Sequence, residues 1–196
     1  MNIEIKKMSV ELLDNWLYYF DNIGFSDNEH WSGCYCVCNH WDEKYKKQYT
    51  WEAEIKKGIN SISREIAINL IKKNEMLGYL AYYNKSVVGW CNANDKDVYK
   101  PVFGELPWED SDKNDKIKAI MCFCISPQFR NKGIASMLLQ KICLDASIEG
   151  YKYIEAYPLT QKEGYNYYTG PLSMYTKNGF NVYNENGPHI IVRKYL

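Results

Sequence analysis

Between Ile117 and Ile125 the chain reads IKAIMCFCI, almost without a polar residue. That is the pattern of a strand covered on both faces. Pro127 ends it, since proline has no N–H for a ladder. From Ile134 the period changes. Ile134, Leu138 and Ile142, with Ala135, Leu139 and Ala146 beside them, recur at helical spacing, while Ser136, Gln140, Lys141, Asp145 and Glu149 take the other side. Gly150 marks the stop. YKYIEAYPL then reads as a second strand, and a helix crossing between the two makes them parallel.

The rest of the chain supplies further strands and helices. Asn2 to Lys6 predicts an opening strand, and Ser9 stands as a cap before Val10, Leu12, Leu13, Trp16, Leu17 and Phe20, a helical stripe ended at Gly24. Asp42 to Thr50 is polar and reads as irregular; Glu52 to Lys57 fits one or two helical turns before Gly58. Ser61 or Ser63 caps a helix whose inner stripe is Ile66, Ala67, Leu70 and Ile71. LGYLAYYN and SVVGWCNAN form a hairpin turning at Asn84-Lys85, and a polar loop from Asp95 to Asn114 leads to the buried strand. After a glycine-bearing aromatic loop, a short helix from about Leu172 to Lys177 precedes a last pair of strands. No repeat or low-complexity linker divides the chain, so residues 1–196 read as one α/β domain.

Composition narrows the function. Lys plus Arg and Asp plus Glu both number 24, so no global charge points to nucleic acid, a membrane surface or a polyanion. No apolar run approaches the roughly 20 residues of a bilayer span, and the first residues lack a signal-peptide layout, so a cytoplasmic protein is expected. Seven cysteines are an odd count, and Cys122, Cys124 and Cys143 in apolar surroundings read as free buried thiols in a reducing compartment. In HWSGCYCVCNHW, Cys34, Cys36, Cys38 and His40 alternate and would share one face of an extended strand. Zinc ligands are spaced differently and four neighbours on one strand cannot wrap a tetrahedron, so the expectation is a substrate-facing strand and no metal. Eighteen tyrosines and six tryptophans suggest aromatic walls around a ligand.

The chemistry gathers where the buried strand turns into the long helix. A helix start leaves unpaired N–H groups and partial positive charge, which suit a phosphate. Gly133 lets backbone approach such an anion, Ala135 keeps the first turn slim, and Arg130 and Lys132 add positive charge at the mouth. One glycine is too few for a dinucleotide fingerprint, and no Gly-Lys-Ser/Thr follows for a Walker loop. The run Arg130-x-x-Gly133-x-Ala135 resembles the acetyl-coenzyme A signature of the GNAT N-acetyltransferase superfamily. GPLSMYTKNGF resembles the family's second signature through Met174, Tyr175, Gly179 and Phe180.

The resemblance implies a GNAT fold: a mixed, mostly antiparallel sheet of six to seven strands with a central, splayed parallel pair, flanked by helices. It implies acetyl-CoA as cosubstrate, held at Arg130, Asn131, Lys132, Gly133, Ile134, Ala135 and Ser136, with the carbonyl oxygen taken by backbone amides near Cys124 and Ile125. It implies Tyr175 as the acid that protonates the departing thiolate. For the base, Glu155 is the first candidate, with His40, His189 or a water relay as alternatives. Trp31, Tyr35, Tyr165 and Tyr168 are the candidate walls of a substrate pocket, with Trp41 and Tyr167 as further aromatic neighbours. The expected reaction is acetyl transfer to a primary amine of a small molecule, by a monomer or homodimer. The rivals are a peptide or protein acceptor, an acyl-CoA sensor without turnover, and a metal-binding protein built on the Cys34–His40 run.

Overall fold

Alternating and continuous apolar runs become the strands β1 (Glu4–Lys7), β2 (Gly78–Tyr83), β3 (Ser86–Asp95), β4 (Ile117–Ile125), β5 (Tyr153–Ala156), β6 (Asn181–Asn184) and β7 (Ile191–Tyr195). They form one sheet in the order β1-β2-β3-β4-β5-β7-β6, antiparallel throughout except for the parallel pair β4–β5. The structure, a computed structural model, describes residues 1–41, 43–99, 115–158, 167–185 and 190–196. Tyr165 and His189 lie outside these.

Helices cover both faces. On one side α5 (Ile134–Ile148) and α6 (Leu172–Lys177) pack Leu138, Leu139, Ile142, Met174 and Tyr175 against Ile120, Phe123 and Ile154. On the other, α1 (Leu13–Asn22) and α4 (Ile62–Lys72) bring Trp16, Tyr19, Phe20, Ile66 and Ile71 onto Leu80, Trp90, Cys122 and Cys124. Two short helices, α2 (Glu43–Gln48) and α3 (Trp51–Glu54), lie between them in sequence. The β2–β3 hairpin turns where expected, with Asn84 and Lys85 both left-handed (φ 48° and 66°), as a two-residue turn of matching twist requires.

Several expectations change. The HWSGCYCVCNHW segment is not extended: it folds into single 3-10 turns at Glu29–Trp31 and Cys38–His40, with Tyr35 and Cys36 left-handed at φ 44° and 55°. Its backbone bonds are mostly local, with Cys34, Val37 and His40 N–H donating to the Trp31, Cys34 and Val37 carbonyls, and the Cys36 carbonyl accepts from the Asn92 side chain of β3 at 3.1 Å. Gly33 N–H donates to the Ile55 carbonyl at 2.7 Å, and a Cβ there would lie 2.4 Å from the Glu54 carbonyl oxygen. The polar stretch after Asp42 is helical, as α2, because a polar sequence rich in Glu, Lys and Gln has good helix propensity. The Ser9 side chain makes no cap bond; its carbonyl accepts from Leu12 N–H at 3.0 Å in a 3-10 turn at Val10–Leu12 that precedes α1. Of the two serines before α4, Ser61 is the cap, accepting from Ser63 N–H at 3.1 Å, while the Glu54 carboxylate takes Ile62 N–H at 2.9 Å. Cys122 is not a free thiol: it is joined to Cys36, which ties the 3-10 segment to β4. That removes Cys36 from any set of four metal ligands.

Candidate functional site

The parallel pairing of β4 and β5 runs from Ile117 opposite Tyr153 to Ile120 opposite Ala156, and stops there while β4 continues to Ile125. At the same place β4 is bulged. Asn92 of β3 faces Cys122 and Ala93 faces Ile120, leaving Met121 as the extra residue. Consequently Met121 and Cys122 both turn away from the α5 face, whereas Ile120 and Phe123 pack toward it. Among the described residues no strand pairs with β4 beyond Ile120 on the β5 side, and the turn Tyr167–Thr169 packs beside it.

The ladder fixes which amides line that edge. Ser126 N–H donates to the Val88 carbonyl at 3.0 Å, so by antiparallel alternation Cys124 also directs its backbone groups to β3, while Phe123 and Ile125 turn their N–H groups toward the gap. Of the two residues expected to hold a carbonyl oxygen, Ile125 has its N–H on the open side. Cys124 does not, because its N–H faces Trp90.

One short turn beyond, the start of α5 has the features of an anion site. Gly133 is its N-cap residue, at φ 81° and with nothing within 4 Å of where a Cβ would be. The first backbone bond of the helix is Met137 N–H to the Gly133 carbonyl, so the N–H groups of Ile134, Ala135 and Ser136 precede the ladder. No side chain caps them and no acidic residue lies in the first turn. Asn131, at φ 59°, and exposed Lys132 complete the turn. These residues fit a diphosphate.

Arg130 is placed differently from expectation. Its guanidinium forms a two-pronged pair with Asp27, at 2.5 and 3.0 Å, and its Nε donates to the Ile125 carbonyl at 3.1 Å. The Asp27 pairing holds the Arg130 head against the loop after α1, while Lys132, over the Phe129 ring at 5.2 Å, is a second cation at the turn. The pair also keeps the Asp27 carboxyl below the usual carboxylate range.

Tyr175 is wholly buried on α6 and donates its hydroxyl to the Thr169 carbonyl at 2.6 Å. Burial pushes its phenol well above the ordinary value, so the proton is retained at neutral pH.

Glu155 is neither a solvated carboxylate nor an accessible base. With no exposed surface, it accepts from Lys96 Nζ (2.7 Å), Tyr157 hydroxyl (2.6 Å) and Arg193 Nε (2.6 Å). Both oxygens are engaged on the face opposite α5, beside Met121, Tyr99 and Tyr157.

His40 stands near the same cluster. Its ring lies 5.2 Å from that of Tyr99, and Asn92 links the two: Asn92 Oδ1 accepts from Tyr99 hydroxyl at 2.7 Å, and Asn92 Nδ2 is 3.5 Å from His40 Nε2. Burial lowers the His40 pKa to about 4, so the imidazole is neutral at physiological pH.

Of the candidate pocket walls, Trp31 and half-exposed Tyr168 stand together, with ring centroids 6.4 Å apart. Burial raises the Tyr168 pKa to about 12. Tyr35 is core instead: it has no exposed surface, packs on Trp16 and Phe20, and donates to Asp21 at 2.6 Å. Trp41 is likewise buried, edge-on to Trp51.

With this geometry, a family model described as "Acetyltransferase (GNAT) domain" matches residues 75–182, more than half of the 196-residue chain. The chain belongs to the GNAT acetyltransferase family. The matched span contains β2 to β5, α5 and α6, so the gap and the phosphate turn both lie in the GNAT part. Among solved structures, the chain is similar to the PaiA N-acetyltransferase of Thermoplasma acidophilum in complex with coenzyme A. The two are 20% identical over 100% of both chains, with a TM-score of 0.57. It is similar also to the GNAT domain of S. lividans PAT, at 12% identity over 99% of this chain and 90% of that one, with a TM-score of 0.59. A third is the Drosophila melanogaster polyamine N-acetyltransferase, at 9% identity, 100% coverage of both and a TM-score of 0.57. These likenesses are of fold. No curated protein sequence matches the chain. GNAT membership implies acetyl-CoA-dependent acyl transfer, and no helix among the described residues is long and apolar enough to cross a membrane.

Sequence reasoning missed Tyr19, Asp27, Asn92, Lys96 and Arg193, all of which contact the site residues. Tyr19 lies beside the expected stripe of α1, not on it, and only the structure shows it buried with Leu13, Trp16 and Phe20. Lys96 and Arg193 are single charges in otherwise ordinary elements, and only the buried alternation of IIVRKYL, with Arg193 amid apolar neighbours, was a signal.

Proposed function

We propose that residues 1–196 work as one N-acetyltransferase domain in the cytoplasm, moving the acetyl group of acetyl-CoA directly to a primary amine of a small molecule. The parting of β4 from β5 beside the uncapped start of α5 carries this reading, because among the described residues it leaves the end of β4 without a strand partner on that side, next to an anion site. The amides of Ile134, Ala135 and Ser136 bind the diphosphate, helped by Lys132, and the pantetheine arm lies along β4. When bound, acetyl-CoA supplies an activated acyl group on a thiol leaving group.

The chain's own residues do the rest. Ile125 N–H takes charge developing on the carbonyl oxygen. Tyr175 turns its hydroxyl from the Thr169 carbonyl to the departing sulfur. Since a thiol of pKa roughly 8.5 already leaves well, this donor contributes a modest factor. Glu155, locked among three donors, takes no proton from the acceptor. His40 is neutral but weakly basic, so water carries the ammonium proton onward. Trp31 and Tyr168 give the acceptor a planar aromatic wall suited to a cation.

Free thiol released from acetyl-CoA with a panel of small amines and lysine peptides tests the reading. Turnover with small amines supports it, and turnover with peptides alone moves the acceptor to a protein. Tight coenzyme binding without thiol release under any acceptor makes the chain a sensor.

A further inference from the structure

The edge of β4 is braced from the far side of the sheet by a residue that no signature contains. Tyr19 is fully buried on α1, 105 residues away in sequence from the strand it touches. Its hydroxyl lies 2.8 Å from the Cys124 carbonyl oxygen and 3.6 Å from the Cys124 sulfur. A phenol has one proton, and the nearer, stronger acceptor is the oxygen.

The Cys124 carbonyl and the Ile125 N–H belong to one planar peptide unit and point in opposite directions. The carbonyl end faces β3 and receives Tyr19; the N–H end faces the gap. A donor on the carbonyl draws electron density through the resonant C–N bond, so the N–H at the other end becomes a stronger donor. The next peptide is clamped as well, with Arg130 Nε on the Ile125 carbonyl at 3.1 Å and Ser126 N–H on the Val88 carbonyl at 3.0 Å. The Ile125 N–H therefore sits between two fixed planes and has little freedom to swing.

We infer that Tyr19 is a positioning residue for acyl transfer: by donating to the Cys124 carbonyl it orients and strengthens the Ile125 N–H that receives the thioester oxygen. The inference rests on the reading of β4 as the acyl site, so its test must separate the two. Isotope-edited infrared spectra of [1-13C]acetyl-coenzyme A bound to the full chain do so without needing the acceptor. In the wild type the thioester carbonyl band moves below its position in free acetyl-coenzyme A. Tyr19→Phe, which keeps the ring and removes only the hydroxyl, should lose about 10–30% of that downshift. Coenzyme A itself should bind the variant as well as the wild type, because the diphosphate is held at α5. With an acceptor found in the amine panel, the turnover number should fall about two- to fivefold at unchanged KM for acetyl-CoA.

Cys124→Ala is the packing control, since it removes the sulfur contact and leaves the carbonyl. It should keep the whole downshift, and a loss equal to that of Tyr19→Phe would overturn the inference. A full downshift in Tyr19→Phe overturns the role of Tyr19 alone. No downshift in the wild type with coenzyme bound overturns the acyl-site reading too. Should Tyr19→Phe not fold, 3-fluorotyrosine placed at position 19 is a stronger donor and must enlarge the downshift; an unchanged band then counts against the inference.

Discussion

Glu155 and Arg193 stand directly opposite one another in the β5–β7 pairing and join at 2.6 Å with both side chains buried. The Arg193 guanidinium also lies over the rings of Tyr153 and Tyr183, at 4.5 and 3.4 Å. A carboxylate set this deep is part of the sheet's internal bracing, and its loss is felt first in stability. Glu155→Gln should destabilise the protein by roughly 3–5 kcal/mol, because Lys96 and Arg193 stay buried with one counter-charge fewer. Denaturant midpoints measure this, with coenzyme A affinity of the folded protein expected to be unchanged. Unaltered stability with abolished turnover would restore Glu155 as the base.

Gly133→Val separates conformation from contact. A Cβ there meets no protein atom within 4 Å, so the stability cost is that of forcing φ 81° on a branched residue, about 1–2 kcal/mol. The side chain enters the space assigned to the diphosphate, and coenzyme A affinity should fall at least tenfold by calorimetry. Retained affinity would remove the start of α5 as the binding site.

Tyr175→Phe deletes the donor to the Thr169 carbonyl. It should cost about 1 kcal/mol of stability and slow turnover about ten- to a hundredfold, with coenzyme binding nearly intact. Collapse of binding would mark the tyrosine as packing only.

Thiol counting tests the bond between Cys36 and Cys122. Denatured without reductant, the chain should expose five thiols, and after reduction all seven. Reduction should lower stability by roughly 2–4 kcal/mol, since the bond closes a long loop. Burial shields the bond from reductant, Cys36 being 3% and Cys122 6% exposed.

His40 gives stability a pH dependence. Its folded pKa of about 4 lies below the ordinary value of 6.5, so the unfolded chain binds the extra proton first as pH falls. The contribution is fully present above about pH 6.5 and lost as pH drops toward 4; up to about 3 kcal/mol is at stake. The wild-type stability profile should lose this slope in His40→Gln. A slope retained in the variant would assign it to other groups.

The sequence alone determined the frame. A continuous apolar run, a helical stripe and two glycines specify strand, crossover helix and parallel strand, since burial on both faces and a 3.6-residue period are one-dimensional patterns. Arg130, Gly133, Ala135 and Tyr175 could be singled out for the same reason: they lie in short contiguous motifs. Tertiary structure alone decided what those residues and their neighbours contact. Glu155 alternates as a surface residue would, yet Lys96 and Arg193, 59 and 38 positions away, enclose it. Cys36 left its expected strand because its segment closes local turn bonds and its carbonyl accepts from the Asn92 side chain at 3.1 Å, while its sulfur reaches Cys122, 86 positions on. Arg130 meets Asp27, and Tyr19 meets the Cys124 carbonyl, across more than a hundred residues. Partners of that kind are chosen by which faces the sheet and helices bring together, and no local pattern in the chain encodes the pairing.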